Sequence, residues 1–142
     1  METQVQKMID MVDKTVDMWK NHNKLFQGGC CYSAGVISKE LEKKHIEYKV
    51  MAYIRAYYNC ENKSLDEIAN DCALIHVAIE VGDKIIGGDM NHFMVWKYKY
   101  SNISSNEIMK AYNNNMKNWN ETYDTKLNPY FKEQMEHIFS QF

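Results

Sequence analysis

The sequence predicts an α+β fold in which helices pack against a small antiparallel sheet. Its apolar periodicity gives the order helix, helix, strand, helix, strands, helix, helix, which is typical of that class. Two apolar runs flank Gly82-Asp83, a favoured two-residue loop for a tight hairpin. The chain has 142 residues, of which 45% are hydrophobic and one is proline. This size and composition predict a single domain, residues 1–142, around one core.

Two amphipathic helices are predicted at the start of the chain. Residues 4–24 carry apolar side chains at helical spacing, namely Met8, Met11, Val12, Val16 and Trp19. Gly28-Gly29 interrupts this pattern, and a second helix is predicted from about Cys31 to Lys44. The inward stripe of the second helix is expected to contain Ala34, Ile37 and Leu41.

The middle of the chain predicts strands around one short helix. Aromatic and β-branched residues predict strands over residues 47–56 and 92–100, with a hairpin over residues 75–89. Ser64-Leu65-Asp66-Glu67 matches a capping box, so a short helix is predicted from there to about Cys72.

The last part of the chain predicts two more helices. Ser104-Ser105-Asn106-Glu107 is a second capping box, and the helix is expected to run to about Asn118. Asn128-Pro129 fits a helix cap followed by proline in the first turn. The final helix carries an apolar stripe made of Phe131, Met135, Ile138 and Phe139.

The hairpin loop fixes a register that brings a histidine and an aspartate together. Counting outward from Gly82-Asp83 pairs Val81 with Lys84, Glu80 with Ile85, Ile79 with Ile86, Ala78 with Gly87, Val77 with Gly88 and His76 with Asp89. Because directly paired residues share one face of a sheet, an imidazole and a carboxylate are expected side by side. The apolar residues expected on the other face, toward the core, are Val77, Ile79, Val81 and Ile86.

Cys31 has the surroundings that thiol chemistry requires. It follows the Gly28-Gly29 turn at the expected start of a helix, where unpaired N–H groups and the helix dipole favour a thiolate. A histidine oriented by a carboxylate is the other half of a cysteine-histidine-aspartate triad. The sequence therefore predicts Cys31 as nucleophile, His76 as base and Asp89 as the group that orients the base.

The segment Gly28-Gly29-Cys30-Cys31-Tyr32-Ser33-Ala34 resembles the cysteine segment of the papain-like superfamily. The resemblance is closest to the transglutaminase-like and arylamine N-acetyltransferase branch, in which a histidine begins a strand and an aspartate follows on the next. It covers about Gln27 to Asp89 and implies the same three catalytic roles. It also implies a papain-like, transglutaminase-like fold. The Cys31 N–H is expected to bind the oxyanion, with the Gln27 side chain as a further candidate donor, although Gln27 lies closer to Cys31 than the papain-type glutamine lies to its cysteine. The chain departs from this pattern at Ala78, where the family usually carries an aromatic residue.

Alternatives to this assignment exist for the nucleophile and for the base. Cys30 is the rival nucleophile, although it shares a helical stripe with Ala34, Ile37 and Leu41. That stripe is expected to bury Cys30 and to leave Cys31 for a cleft. His92, close to Asp89, is the rival base. Cys31 taken alone is also compatible with a buried structural thiol, because free cysteine is among the most buried residue types.

Composition and charge exclude several other classes of function. A net charge of −2 argues against a nucleic-acid partner, and no stretch is long and apolar enough for a membrane partner. The spacing of Cys30, Cys31, Cys60 and Cys72 does not match a zinc site, so no metal and no cofactor are expected. Because no signal peptide is visible, we expect free thiols and a cytoplasmic protein, or one in the host cytoplasm or virion if phage-encoded.

The sequence thus predicts a cysteine-nucleophile hydrolase or acyl transferase that acts on a peptide, protein or small amide or thioester substrate. A protease, an amidase, a deamidase and a transglutaminase-like enzyme all fit this description. The alternative is a non-catalytic phage or bacterial structural or interaction module on the same fold. Such a module would keep the hairpin but would have no accessible thiol near His76.

Overall fold

The computed structural model describes residues 2–19, 29–88, 93–123 and 129–140. Its helices and strands, in chain order, are α1 (Glu2–Trp19), α2 (Gly29–Lys43), β1 (Lys49–Arg55), α3 (Leu65–Asn70), β2 (Leu74–Val81), β3 (Lys84–Ile86), β4 (Val95–Tyr100), α4 (Ser105–Tyr123) and α5 (Pro129–Ser140). This order is the predicted one. The protein is α+β, with a small antiparallel sheet and helices, as the periodicity indicates.

The sheet has four antiparallel strands in the order β3-β2-β1-β4. Because side chains alternate along a strand, the sheet has two distinct faces. We call one the helix face, and its residues include Val50, Ala52, Ile54, Val77, Ile79, Trp96 and Tyr98. We call the other the reverse face, and its residues are Lys49, Met51, Tyr53, Arg55, His76, Ala78, Glu80, Ile85, Val95, Lys97 and Lys99.

The core lies between the helix face and the helices. α2 is the central helix, because it contacts α1, α4, α5 and β2. Ile37 and Leu41 of α2 are fully buried, together with Val50 and Ile79 from the sheet. Gly35 allows the close approach of α2 to α4, since a Cβ atom there would overlap Met109 Sδ. Val77, Ile79, Val81 and Ile86 belong to this core or pack against it, as predicted.

Both capping sequences begin helices. Ser64 and Glu67 form a full capping box, in which Ser64 Oγ accepts from Glu67 N at 3.4 Å and Ser64 N donates to Glu67 Oε1 at 3.3 Å. Ser104 Oγ accepts from Glu107 N at 3.3 Å. α3 stops at Asn70, earlier than predicted, because the backbone turns left-handed at Cys72 (φ 57°). α4 extends to Tyr123, beyond the predicted end near Asn118.

A carboxylate on α2 also supports the start of α4. Glu42 accepts hydrogen bonds from Ser105 N at 2.7 Å, Ser105 Oγ at 2.9 Å and Tyr48 Oη at 2.6 Å. These three bonds join the end of α2, the segment before β1 and the first turn of α4. Since the first N–H groups of a helix have no partner within it, Glu42 satisfies one of the donors that α4 leaves open.

Two predicted elements extend into parts of the chain that the structure does not describe. α1 is described to Trp19, whereas the prediction runs to residue 24. Asn128, the predicted cap of the last helix, lies outside the described residues, although α5 begins at Pro129 as predicted. None of the described helices combines the length and the apolar composition needed to cross a membrane.

Candidate functional sites at the cysteine helix and the outer strand

The hairpin forms with the predicted turn and register near the loop. Val81 pairs with Lys84, Glu80 with Ile85 and Ile79 with Ile86. The strand pairing then ends, because Gly87 and Gly88 adopt positive φ angles of 99° and 87°. The predicted pairs of Ala78 and Val77 with these glycines are therefore not part of the ladder. Gly87 nevertheless stays beside Ala78, since a Cβ atom at Gly87 would lie 3.8 Å from Ala78 Cα.

His76 lies on β2, half-buried, on the reverse face. Its Nε2 atom lies 3.0 Å from the carbonyl oxygen of Gly88, which accepts the hydrogen bond. Its ring also contacts Tyr53, with the two ring centroids 5.0 Å apart. The residue predicted to orient His76, Asp89, lies outside the described residues, and so do Gln27 and the alternative base His92. Their proposed roles stay predictions.

Cys31 lies in the first turn of α2, as predicted, but its thiol is buried between helices. The residue is 4% exposed, and its Sγ atom donates to the carbonyl oxygen of Ile108 on α4 at 3.7 Å. Burial raises the pKa of Cys31 to about 12, and the neighbouring Cys30 adds to this rise. A thiol in this environment stays protonated at neutral pH, whereas a nucleophilic cysteine must form a thiolate.

The expectation that Cys30 is buried and Cys31 accessible is wrong. Cys31 is buried and Cys30 is partly exposed, although burial also raises the pKa of Cys30 to about 12. The physical reason is that α2 packs against helices on more than one side and against β2, so its buried surface is wider than one stripe. Cys31, Tyr32, Ser33 and Ala34 are all buried in succession.

Cys31 and His76 point toward different layers of the fold. Cys31 belongs to the core cluster with Val77 and Ile79, which lie on the helix face of β2. His76 is adjacent to Val77 in the strand, so its side chain points to the reverse face. The described residues therefore place the predicted nucleophile and the predicted base on opposite sides of the sheet.

The described residues offer no group of three histidine, cysteine, aspartate or glutamate side chains that could hold a metal ion. All four cysteines are free thiols, and Cys72 is exposed.

A second region stands out around the outer strand β4. Five large apolar or aromatic side chains on β4, just before it and just after β1 are exposed, and we call them the β4 surface: Tyr57 (84%), Phe93 (84%), Met94 (44%), Trp96 (49%) and Tyr98 (47%). Tyr57 and Trp96 form a tilted ring pair with centroids 5.5 Å apart. Trp96 and Tyr98 belong to the helix face, yet about half of each remains exposed. Exposed apolar surface such as this ring pair is typical of interaction sites.

The backbone of β4 presents its outer hydrogen-bonding groups at fixed positions. Ala56 N donates to Met94 O at 2.9 Å, so Met94 directs its backbone groups toward β1. In an antiparallel ladder this direction alternates with every residue. Trp96 and Tyr98 therefore also bond inward, while the N–H and C=O groups of Val95, Lys97 and Lys99 point away from β1.

The reverse face beside β4 is rich in positive charge. Its strand residues include four cations, Lys49, Arg55, Lys97 and Lys99, and one carboxylate, Glu80. Lys99 Nζ lies 3.0 Å from Glu80, and Lys97 Nζ lies 5.8 Å from the Tyr53 ring centroid. This local excess of cations contrasts with the net charge of −2 for the whole chain.

The sequence predicts a strand over residues 92–100 but not this surface. The alternation Trp96-Lys97-Tyr98-Lys99-Tyr100 contains the signal, because it separates an aromatic side from a cationic side. Strand alternation cannot tell which side the helices cover, and here they leave the aromatic side of β4 partly open.

Comparison of the chain with models of protein families, with curated proteins and with solved structures found no match.

Proposed function

We propose that this protein is a non-catalytic interaction module that binds an extended segment of a partner protein along β4. The observation that carries the proposal is the combination, on one outer strand, of exposed aromatic side chains and outward-pointing backbone groups. A peptide that adds a strand to a sheet edge gains main-chain hydrogen bonds, and its alternate side chains contact the neighbouring strand. Trp96 and Tyr98 are residue types that dominate binding energy at such contacts.

The buried thiol supports this proposal over a catalytic one. A cysteine enzyme needs an ionised thiol that a substrate can reach, and Cys31 is 4% exposed with a pKa raised to about 12. A hairpin and a Cys31 thiol that is buried away from His76 are the features expected of an interaction module on this fold.

The proposal is tested by selecting peptides from a displayed library and mapping where they bind by amide hydrogen exchange. We expect selected peptides to slow exchange at the outward amide of Lys99, and to leave the inward amides of Trp96 and Tyr98 nearly unchanged. Val95→Pro removes one outward N–H and should abolish binding, whereas Val95→Thr keeps it and should bind normally. Peptides that protect another surface and tolerate Val95→Pro would refute the proposal.

Our second proposal is that the protein is a papain-like cysteine hydrolase or acyl transferase. It is favoured by the position of Cys31 in the first turn of α2, where the helix dipole supports a thiolate. This function requires α2 and α4 to separate, so that the Cys31 thiol is released from Ile108 and becomes accessible. A second rearrangement must bring His76 to the same side.

The two proposals are separated by iodoacetamide labelling from pH 5 to 9, read by peptide mass spectrometry, on the wild type and His76→Ala. The binding module predicts that native Cys31 stays unlabelled throughout, while exposed Cys72 reacts as an internal control. Rapid labelling of Cys31 at low pH that is lost in His76→Ala would establish a thiolate–imidazolium pair and would support the enzyme instead.

A further inference from the structure

We infer that the segment bound along β4 is acidic, with carboxylates at alternate positions and apolar residues between them. This inference rests on the proposed function and adds the chemistry of the partner. It follows from the two different sides of β4, which place lysines toward the reverse face and aromatic residues toward the helix face.

The reverse face determines the charge of the bound strand. An added strand places its own side chains directly opposite those of β4, on the same face. The cations Arg55 and Lys49 lie one strand further in, diagonal to Lys97 and Lys99, and add to the positive charge of this face. Glu80 offsets part of this charge through its ion pair with Lys99 at 3.0 Å. Opposite charges across a strand pair are favourable and like charges are unfavourable, so carboxylates fit here and ammonium groups do not.

The helix face determines the residues in between. Side chains opposite Trp96 and Tyr98 would cover two aromatic rings that are about half exposed. Apolar and β-branched residues suit this position, because they bury ring surface and favour an extended backbone. The expected pattern is therefore an acidic residue at every second position over about six residues, the usual length of a strand.

A second copy of this chain is a poor occupant of the same edge. When two β4 strands pair antiparallel in one sheet, residues of one face stay on that face. In the two registers with most overlap, Lys97 would lie opposite either Lys97 or Lys99 of the other copy. Directly opposed lysines disfavour this pairing, and lysines on edge strands commonly prevent such association.

The experiment is a fluorescence anisotropy titration with three labelled peptides in which Glu, Gln or Lys alternates with Val. We expect the Glu–Val peptide to bind about three- to tenfold more tightly than the Gln–Val peptide, and the Lys–Val peptide to bind most weakly. The preference should disappear at about 1 M salt, which screens exposed charges. Lys97→Glu lowers the excess of positive charge on the reverse face and should reduce the preference for the Glu–Val peptide, whereas Lys39→Glu on α2 makes the same charge change elsewhere and should leave the preference intact.

The outcomes separate this inference from the proposed function. If all three peptides bind equally and Val95→Pro abolishes the binding, strand addition stands and the acidic partner is refuted. If no peptide binds and none protects the Lys99 amide, both are refuted. If an oligothymidine competes with the Glu–Val peptide and binds more tightly, the cationic and aromatic sides serve a nucleic acid, and the acidic segment is refuted.

Discussion

The two edges of the sheet differ in length, cover and chemistry. β3 has three residues, and α1 lies beside it, where Asp13 Oδ1 accepts from Gly87 N at 3.2 Å and Lys84 donates to Gln6. β4 has six residues and carries Trp96 and Tyr98 about half exposed. A sheet edge can be protected by covering it or by placing charges on it. An edge that is protected by charges stays accessible to a partner, whereas a covered edge does not. We therefore assign binding to β4, which carries lysines, and not to β3, which α1 covers.

The largest effect is expected from proline on the inward side of β4. Tyr98→Pro removes an N–H that bonds to β1 and should lower the free energy of unfolding by roughly 2–4 kcal/mol relative to Tyr98→Ala. Val95→Pro removes an outward N–H and should cost less than about 1 kcal/mol relative to Val95→Thr. Urea denaturation of the four variants measures both differences. Equal losses at both positions would show that the inward and outward assignment is wrong.

The next largest effect on stability is expected from Gly87, where β3 ends. Gly87 has a φ of 99°, a conformation that residues with a Cβ atom avoid. Gly87→Ala should lower the free energy of unfolding by about 2 kcal/mol through backbone strain alone, since the added Cβ meets its neighbours at ordinary distances. Gly82→Asn is the control, because asparagine tolerates the left-handed turn position with φ 62°. Thermal unfolding that ranks Gly82→Asn below Gly87→Ala would contradict this account of the β3 edge.

A smaller effect is expected from the aromatic side of β4. Trp96→Ala should weaken binding of the Glu–Val peptide about tenfold, as truncation of a central aromatic residue commonly does. Tyr130→Ala removes another exposed aromatic residue, on α5, and should leave affinity unchanged. Anisotropy titrations give both affinities. If the two variants lose affinity equally, the β4 surface has no special role in binding.

The smallest effect is expected from Asp13, which lies at the β3 edge that α1 covers, and this effect depends on pH. Burial raises the pKa of Asp13, the bond from Gly87 N lowers it in part, and Asp10 raises it further. Because the folded state binds this proton more tightly than the unfolded chain, the contribution of Asp13 to stability decreases as pH rises from the ordinary aspartate pKa through the raised one. Asp13→Asn keeps an acceptor for Gly87 N and should remove this decrease. Urea midpoints from pH 3 to 7 in both proteins test it, and parallel curves would contradict it.

The sequence predicts the elements of this fold well, because the decisive signals are local. Gly82-Asp83 fixes the hairpin register near its loop, and Ser64 with Glu67 fixes the start of α3. The register fails beyond Ile86, where Gly87 allows the backbone to leave the strand. Local patterns fail for Cys31 as well, since its burial depends on α4, which lies far away in the chain.

The candidate binding site was harder to predict, because its position and exposure depend on parts of the chain that are distant in sequence. The Trp96-Lys97-Tyr98-Lys99 alternation identifies a strand with two chemically different sides. Its place at the sheet edge depends on pairing with β1, which is distant in sequence. The exposure of Trp96 depends on where the helices end, and no local pattern carries that information.

The bonds made by Glu42 have a consequence for how the chain folds. The carboxylate of α2 reaches Ser105 across 63 positions of sequence, so the first turn of α4 gains this acceptor only after α2 has docked. A peptide that spans α4 alone would lack it, and its helix should fray at Ser105 and Asn106. Formation of α4 is in this way coupled to assembly of the core, which favours all-or-none folding over stepwise growth of independent helices.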